Sequence, residues 1–315
     1  MQADIPSGKR IWMTIPGDWR RPTVQQAFTI LWDDAAEFGQ ILPRPSPSEV
    51  QTFYDLEEYY THDDGAADAG TMFPGQKLLV HLAWRLDHDE TMDAPWWQRV
   101  LGGTPRRILE VGCGNGANLT ILRALGHQVV GVEPDPKARD VARSAGHDVY
   151  GGLAEDLPEQ VTSGRYDVVL FSHVLEHCLS PSAALSNAVA LLDEGGIVVA
   201  EVPNNDCRGA AHYGPSWLWL DVPRHLNFFT PTSLQSLCGS CGLDVEQTIF
   251  FGYCRQFMPA WTVAQASAAR RMGLADKARH SPLSHWRYFL TTALAPDRRK
   301  YDSVRVIARK RGGSV

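Results

Sequence analysis

Residues 108–118 read Ile108-Leu109-Glu110-Val111-Gly112-Cys113-Gly114-Asn115-Gly116-Ala117-Asn118. A short apolar run enters a glycine-dense turn, and a helical pattern leaves it. This is the form of a buried strand, a tight turn and a helix start. The first amides and the positive dipole end of such a helix face a ligand. Gly112, Gly114 and Ala117 satisfy the G-x-G-x-x-G/A fingerprint of dinucleotide-binding turns. Glu110 and the third glycine, Gly116, point elsewhere. A carboxylate beside the turn is awkward for a pyrophosphate but suits a ligand with an ammonium group and a sulfonium centre.

The pattern of residues 105–250 extends that unit. Apolar runs at Ile108–Val111, Val129–Val132, Val149–Gly151, Val168–Ser172 and Ile197–Val202 alternate with helical segments near Ala117–Leu125, Pro136–Ala145 and Ser182–Leu192. Strands joined by helices of this length imply right-handed crossovers and a parallel sheet with helices on both faces. Thr230-Pro231 predicts a capped helix that ends near Gly242, followed by a strand at Val245–Phe251. The alternation in Ser303–Arg309 predicts a last, antiparallel edge strand. The fold class is therefore α/β: a Rossmann-like, doubly wound sheet of seven strands, mostly parallel. The aromatic-rich stretch 252–300 reads as a helical C-terminal insertion.

Residues 1–104 read as a separate N-terminal cap and substrate region, mainly helical. Ser48 could cap a helix through Phe53, Leu56 and Tyr60. Pro74 could start another, with Leu78, Leu79, Leu82 and Leu86 at helical spacing. The segment 63–71 between them reads as a loop suited to a lid. Residues 105–315 form the cofactor-binding domain.

Composition narrows the function classes. The chain has 315 residues, 44% of them apolar, and a formal net charge of −6. Such a surface offers no general attraction to nucleic acid or anionic membrane. Its basic runs, Arg298-Arg299-Lys300 and Lys310-Arg311, read as solvated strand ends. No stretch approaches the roughly 18 apolar residues of a membrane span, and the N-terminus lacks a signal pattern. Six scattered cysteines suggest reduced thiols and a cytoplasmic setting. Cys238 and Cys241 lack the second pair that a zinc knuckle needs, so no metal is expected. A homodimer stays open.

The fourth strand and its continuation, Tyr166-Asp-Val-Val-Leu-Phe-Ser-His-Val-Leu-Glu-His177, complete a set of motifs. With Glu110-x-Gly-x-Gly-x-Gly116, Glu133, Leu191-x-x-x-Gly-Gly196 and Pro223-Arg-His-Leu-Asn-Phe-Phe-Thr-Pro231, the chain resembles the class I S-adenosylmethionine-dependent methyltransferases. The branch is similar to the ubiquinone-pathway O-methyltransferases, and the resemblance covers roughly half the chain. It implies that Glu110, Gly112 and Gly114 line the methionine end of S-adenosylmethionine, with Gly116 at the helix turn. It places Glu133 on the ribose, Pro134 and Ala154 at the adenine, and Ser172 and His173 beside the sulfonium. Relatives often carry Asp before that alanine; here Leu153 stands there, and Glu155 or Asp156 could substitute. Relatives also often begin with a cysteine-rich zinc ribbon. This chain keeps Pro43-Arg-Pro-Ser-Pro-Ser-Glu49 but has no cysteine before it, which suggests a metal-free ribbon rebuilt around Trp12, Trp19 and Trp32.

The function expected is methyl transfer to a hydroxyl of a small-molecule acceptor, a sugar or a biosynthetic intermediate, which calls for a base; an N- or C-methyltransferase on the same scaffold and a non-catalytic S-adenosylmethionine-binding protein stay open. Histidine suits that role near neutral pH. His225, in a loop past the fifth strand, is the first candidate, with a structural histidine as the competing reading. His173 is the second. Glu176 and His177 read as a structural pair. Tyr213, Trp217 and Arg224 are candidate substrate contacts.

Overall fold

The structure is a computed structural model that describes residues 6–23, 26–53, 72–274 and 280–312. Seven strands form the main sheet: β4 (Arg107–Val111), β5 (Gln128–Val132), β6 (Val149–Tyr150), β7 (Tyr166–Ser172), β8 (Leu192–Pro203), β10 (Leu243–Phe251) and β11 (Ser303–Lys310). Their order is β10-β11-β8-β7-β4-β5-β6. β8, β7, β4, β5 and β6 run parallel, and β11 is antiparallel to both of its neighbours. From β4 the chain winds outward to β6 in one direction, then returns to β7 and winds the other way. The two directions part between β4 and β7, and ligands bind at the carboxyl ends of strands at such a switch point. Those ends are Val111 and Ser172.

Both faces of the sheet are covered. Successive strand residues point to opposite sides, so Ile108, Val168 and Leu170 join Trp96, Trp97 and Leu122 in one core. Leu109, Val169 and Phe171 join Ala184, Leu185 and Leu234 in the other. Near-continuous apolar strands follow from this double burial. The helices start where their caps predict. Asp93, Asp135 and Ser180 accept backbone amides at three N-termini, and Thr230 forms a capping box with Ser233. The cap of the helix Pro47–Phe53 is corrected by two residues. Ser46, not Ser48, pairs with Glu49, because only Ser46 stands three residues before a carboxylate. Leu56, Tyr60 and the loop 63–71 lie outside the described residues.

The N-terminal region departs from the helical expectation. β1 (Lys9–Ile15), β2 (Phe28–Asp33) and β3 (Phe38–Leu42) form an antiparallel meander before any helix begins. Phe28, Ile30 and Trp32 alternate inward with period two, which suits a strand and not a helix. A fourth strand, β9 (Asn227–Phe228), comes from far along the chain and pairs with β3. Trp12 packs on Trp32 at 4.8 Å between ring centroids, and Arg20 lies over Trp19.

β11 is also not an edge strand. It lies between β10 and β8 with Ser303–Ala308 buried, and the polar letter in its pattern, Arg305, is neutralised by Glu201 on β8. The insertion between β10 and β11 is helical, at Pro259–Arg271, Pro282–Thr292 and Asp297–Lys300. Its Tyr288 and Phe289 share a third core with Ile30 and Trp32 of the N-terminal sheet. No helix among the described residues is long and apolar enough to cross a membrane.

Trp97 is fully buried between the helix Ala94–Leu101 and the sheet. Trp97→Ala is expected to lower the unfolding free energy by about 3–5 kcal/mol, read as a reduced urea midpoint at unchanged m-value.

Candidate active site

The turn after β4 is built for close approach. Gly112 has φ 72°, and a Cβ there would lie 2.4 Å from Val174 Cγ2. Gly116 has φ 83° at the cap of the helix Ala117–Ala124, where a Cβ would meet His147 and Ala142. Only glycine fits both positions. Gly114 donates its amide to the Glu133 carboxylate at 2.8 Å.

Two carboxylates flank this turn. Glu110 is buried at the end of β4; Asn118 donates to its Oε1 at 2.7 Å, and its buried Oε2 has no partner among the described residues. Burial, with a smaller contribution from Glu133, pushes its pKa up to about 8. Glu133, just past β5, accepts the amides of Gly114 and Asp135. A carboxylate has about four lone-pair sites, so it retains capacity for further donors. Pro134 is exposed beside it and Ala154 is buried. Leu153 is exposed at the expected place of an acid. The Glu155 carboxylate accepts the Ser180 amide, while Asp156 is exposed.

Past β7, on the other side of the switch point, lies a histidine cluster. His173 has φ 55°, a left-handed conformation rare for non-glycine residues and often found at functional sites. Its ring nitrogens lie 3.2 Å from Glu176 and 2.8 Å from Glu201. Burial opposes its charge, but Glu201 and Glu176 outweigh burial and lift its pKa to about 9. It is an imidazolium at neutral pH. The indole of Trp219 stacks on it at 4.8 Å and 9°.

His177 and His225 behave in the opposite way. Their rings meet edge to face at 4.6 Å. Burial is the main cause that lowers both to about 4; for His177 the neighbouring His225 adds to it, and for His225 Asp221 partly offsets it. Both are neutral at pH 7. His177 Nδ1 contacts the Arg224 carbonyl at 3.0 Å and His225 Nδ1 contacts the Trp219 carbonyl at 2.8 Å. A carbonyl can only accept, so Nδ1 carries the proton in each ring and Nε2 holds a lone pair. Glu176, His177 and His225 each place one polar side-chain atom within 4.8 Å of the others.

The remaining sequence candidates are placed differently from what their positions suggested. Tyr213 and Trp217 are each 1% exposed and stack on one another inside the third core. Arg224 is 1% exposed and bound on both sides by Asp18 and Asp221, so its donors are directed at protein carboxylates. His173, a candidate base, is held in the protonated form. Ser172 ends β7 opposite Glu201. Glu201, Arg305 and Asp18 were not anticipated as site residues. Glu201 carried a signal, a charge within an apolar run; Asp18 carried none.

These residues fit S-adenosylmethionine. The unpartnered Glu110 oxygen suits the ammonium, Glu133 suits the ribose hydroxyls, and the glycine turn admits the backbone approach. The family described as "Methyltransferase domain" matches residues 87–248, half of the chain, and the protein belongs to that family. S-adenosylmethionine is the cofactor of such domains. The chain is 35% identical over 152 residues to a ubiquinone biosynthesis O-methyltransferase of Cereibacter sphaeroides, covering 44% of this chain and 60% of that one. It is 27% identical over 170 residues to the enzyme of the same name from Aromatoleum aromaticum, covering 50% and 72%. Among solved structures it is similar to a SAM-dependent methyltransferase from Archaeoglobus fulgidus, at 19% identity and a TM-score of 0.47, covering 69% of this chain and 92% of that one. The chain thus spans about three fifths of the length of the first of these relatives.

Two outcomes follow from the geometry. Gly112→Ala is expected to weaken S-adenosylmethionine binding at least about tenfold by calorimetry, since the turn must open to relieve Val174. With a pKa of about 8, Glu110 is protonated at pH 7, and an incoming ammonium favours its ionised form. Binding at pH 7 is expected to release close to one proton, seen as a dependence of the binding heat on buffer ionisation enthalpy that Glu110→Gln removes.

Proposed function

We propose that the protein is an S-adenosylmethionine-dependent O-methyltransferase whose acceptor is a hydroxyl on a small molecule, a sugar or a biosynthetic intermediate. The observation that carries the reading is the neutral His225 ring. With Nδ1 bound to the Trp219 carbonyl, its Nε2 carries the lone pair, and the ring packs on His177, which follows the carboxyl end of β7. When bound, the cofactor supplies an electrophilic methyl group on a sulfonium centre.

The chain's own residues divide the remaining work. Glu110, Gly112, Gly114 and Gly116 hold the methionine end, and Glu133, Pro134 and Ala154 the nucleoside. His173 is already protonated and takes no further proton; it fixes charge beside Ser172 and supports the Trp219 ring. His225 accepts the hydroxyl proton at Nε2 as the oxygen attacks. Its Nδ1–H bond to the Trp219 carbonyl keeps the ring in the tautomer this step needs. Positioning of the acceptor is worth up to roughly 7–11 kcal/mol and a general base about 10²–10⁴-fold. The relatives named for ubiquinone biosynthesis support oxygen as the methylated atom.

His225→Ala is expected to lower kcat by about 10²–10⁴-fold with S-adenosylmethionine affinity unchanged, measured by transfer of labelled methyl to a panel of phenolic and sugar acceptors. Full turnover in that variant would remove the base and favour an amine acceptor. The pKa of His225 is lowered to about 4, so its base form persists as pH falls from neutral. At saturating S-adenosylmethionine, kcat is expected to hold down to about pH 5 and to drop below it, rather than to titrate near the ordinary histidine value.

A further inference from the structure

We propose that Asp18, in the segment between β1 and β2, is a positioning residue for His225, acting through Arg224. The proposal rests on the reading of His225 as the proton acceptor.

Asp18 is 2% exposed, although it belongs to neither β1 nor β2 but to the segment between them. Its two oxygens receive Arg224 Nη2 at 2.6 Å and Nη1 at 3.0 Å. The other edge of the same guanidinium donates Nε and Nη2 to Asp221 at 3.2 and 3.1 Å. Arg224 therefore lies in a fork between two carboxylates, one three residues away in its own loop and one 206 positions away near the start of the sequence. Arg20 and Arg21 close the network from the rim, on Asp221 and Asp18 respectively. Two-edged binding of a planar guanidinium fixes its orientation as well as its place.

The backbone that carries Arg224 is the backbone that aims the histidines. The Asp221 carbonyl accepts the amides of both Arg224 and His225, at 2.9 and 3.1 Å. The Arg224 carbonyl is the acceptor for His177 Nδ1. Asp221 has φ 26°, a left-handed conformation costly for aspartate, held in place by its bonds to Arg224 and Arg20. The loop 217–226 contains no strand and cannot hold this shape by sheet pairing. Arg44, past β3, grips the same loop from its other end through the Leu226 carbonyl, and reaches the carbonyls of Cys178 and Leu179. The N-terminal region thus holds both histidine-bearing loops, Arg44 through their backbone carbonyls and Asp18 through the Arg224 guanidinium.

A test that needs no acceptor is nitrogen-15 NMR of histidine-labelled full-length protein, with His225 assigned by comparison with His225→Gln. The groups that bear on the His225 ring are Glu176, His177, His173, Asp221, Arg224 and Trp219. In the parent protein, His225 should show a single neutral Nδ1–H tautomer at pH 7 and titrate below about pH 5. In folded Asp18→Asn, the two ring nitrogens should shift toward an averaged tautomer as the bond to the Trp219 carbonyl loosens, and the titration midpoint should move from its parent value. Asp34→Asn, which breaks the exposed Arg10 pair on the same sheet, should leave both unchanged. An unaltered His225 tautomer and midpoint in folded Asp18→Asn overturns the proposal. Should Asp18→Asn not fold, Asp18→Glu keeps the charge but displaces the fork, and the same shift decides. Turnover of His225→Ala tests the base assignment separately. A loss there with no spectral change in Asp18→Asn refutes only the positioning role; full turnover in His225→Ala refutes the base and this proposal with it.

Discussion

Glu201 lies in the middle of a sheet that is buried on both faces, where an unpaired carboxylate is costly. β11 brings the cation that makes it tolerable. Arg305 stands opposite Glu201 in the antiparallel register and donates two bonds, at 2.8 and 2.6 Å. Burial would raise the Glu201 carboxyl, but Arg305 and His173 prevail and hold it near 2. That fixed negative charge, with Glu176, keeps His173 protonated. The reversed direction of the last strand therefore has a chemical consequence. It commits one histidine of the site to charge balance and leaves the neutral role to His177 and His225.

The site is completed from outside the sheet. The carboxyl ends of β4 and β7 provide the glycine turn and the His173 loop, but the segment carrying His225 has only the two residues of β9 as strand. Its shape comes from contacts with the N-terminal meander: β3 pairs with β9, Arg44 binds the loop backbone, and Asp18 binds Arg224. The third hydrophobic core draws on both sides of residue 104, joining Ile30 and Trp32 to Tyr213, Phe257 and Tyr288. The N-terminal segment therefore packs against the loops that carry His177 and His225.

Much of the sheet was legible because its code is local. Period-two and period-3.6 patterns, with caps such as Thr230 and Asp135, located β4 to β8 and their helices within a few residues. The glycine turn was legible for the same reason: Glu110 and the three glycines lie within seven positions, and the positive φ of each glycine follows from local backbone geometry. The N-terminal strands were missed because each is short, and their inward residues are spaced as plausibly for amphipathic turns. The last strand was assigned to an edge because Arg305 interrupts its apolar pattern. The sequence around Arg305 does not reveal that Glu201 waits on the neighbouring strand.

By itself the sequence determined the fold class, the glycine turn after β4 and the presence of three histidines past β7 and β8, since these depend on residues close together in the chain. Only the tertiary structure decided which histidine is charged and which are neutral. The deciding partners are remote: Arg305 is 104 positions from Glu201, and Asp18 is 206 from Arg224. Proton affinity in a buried site depends on distance in space and on lost solvent, and neither quantity exists until the strands have been ordered and the loops packed.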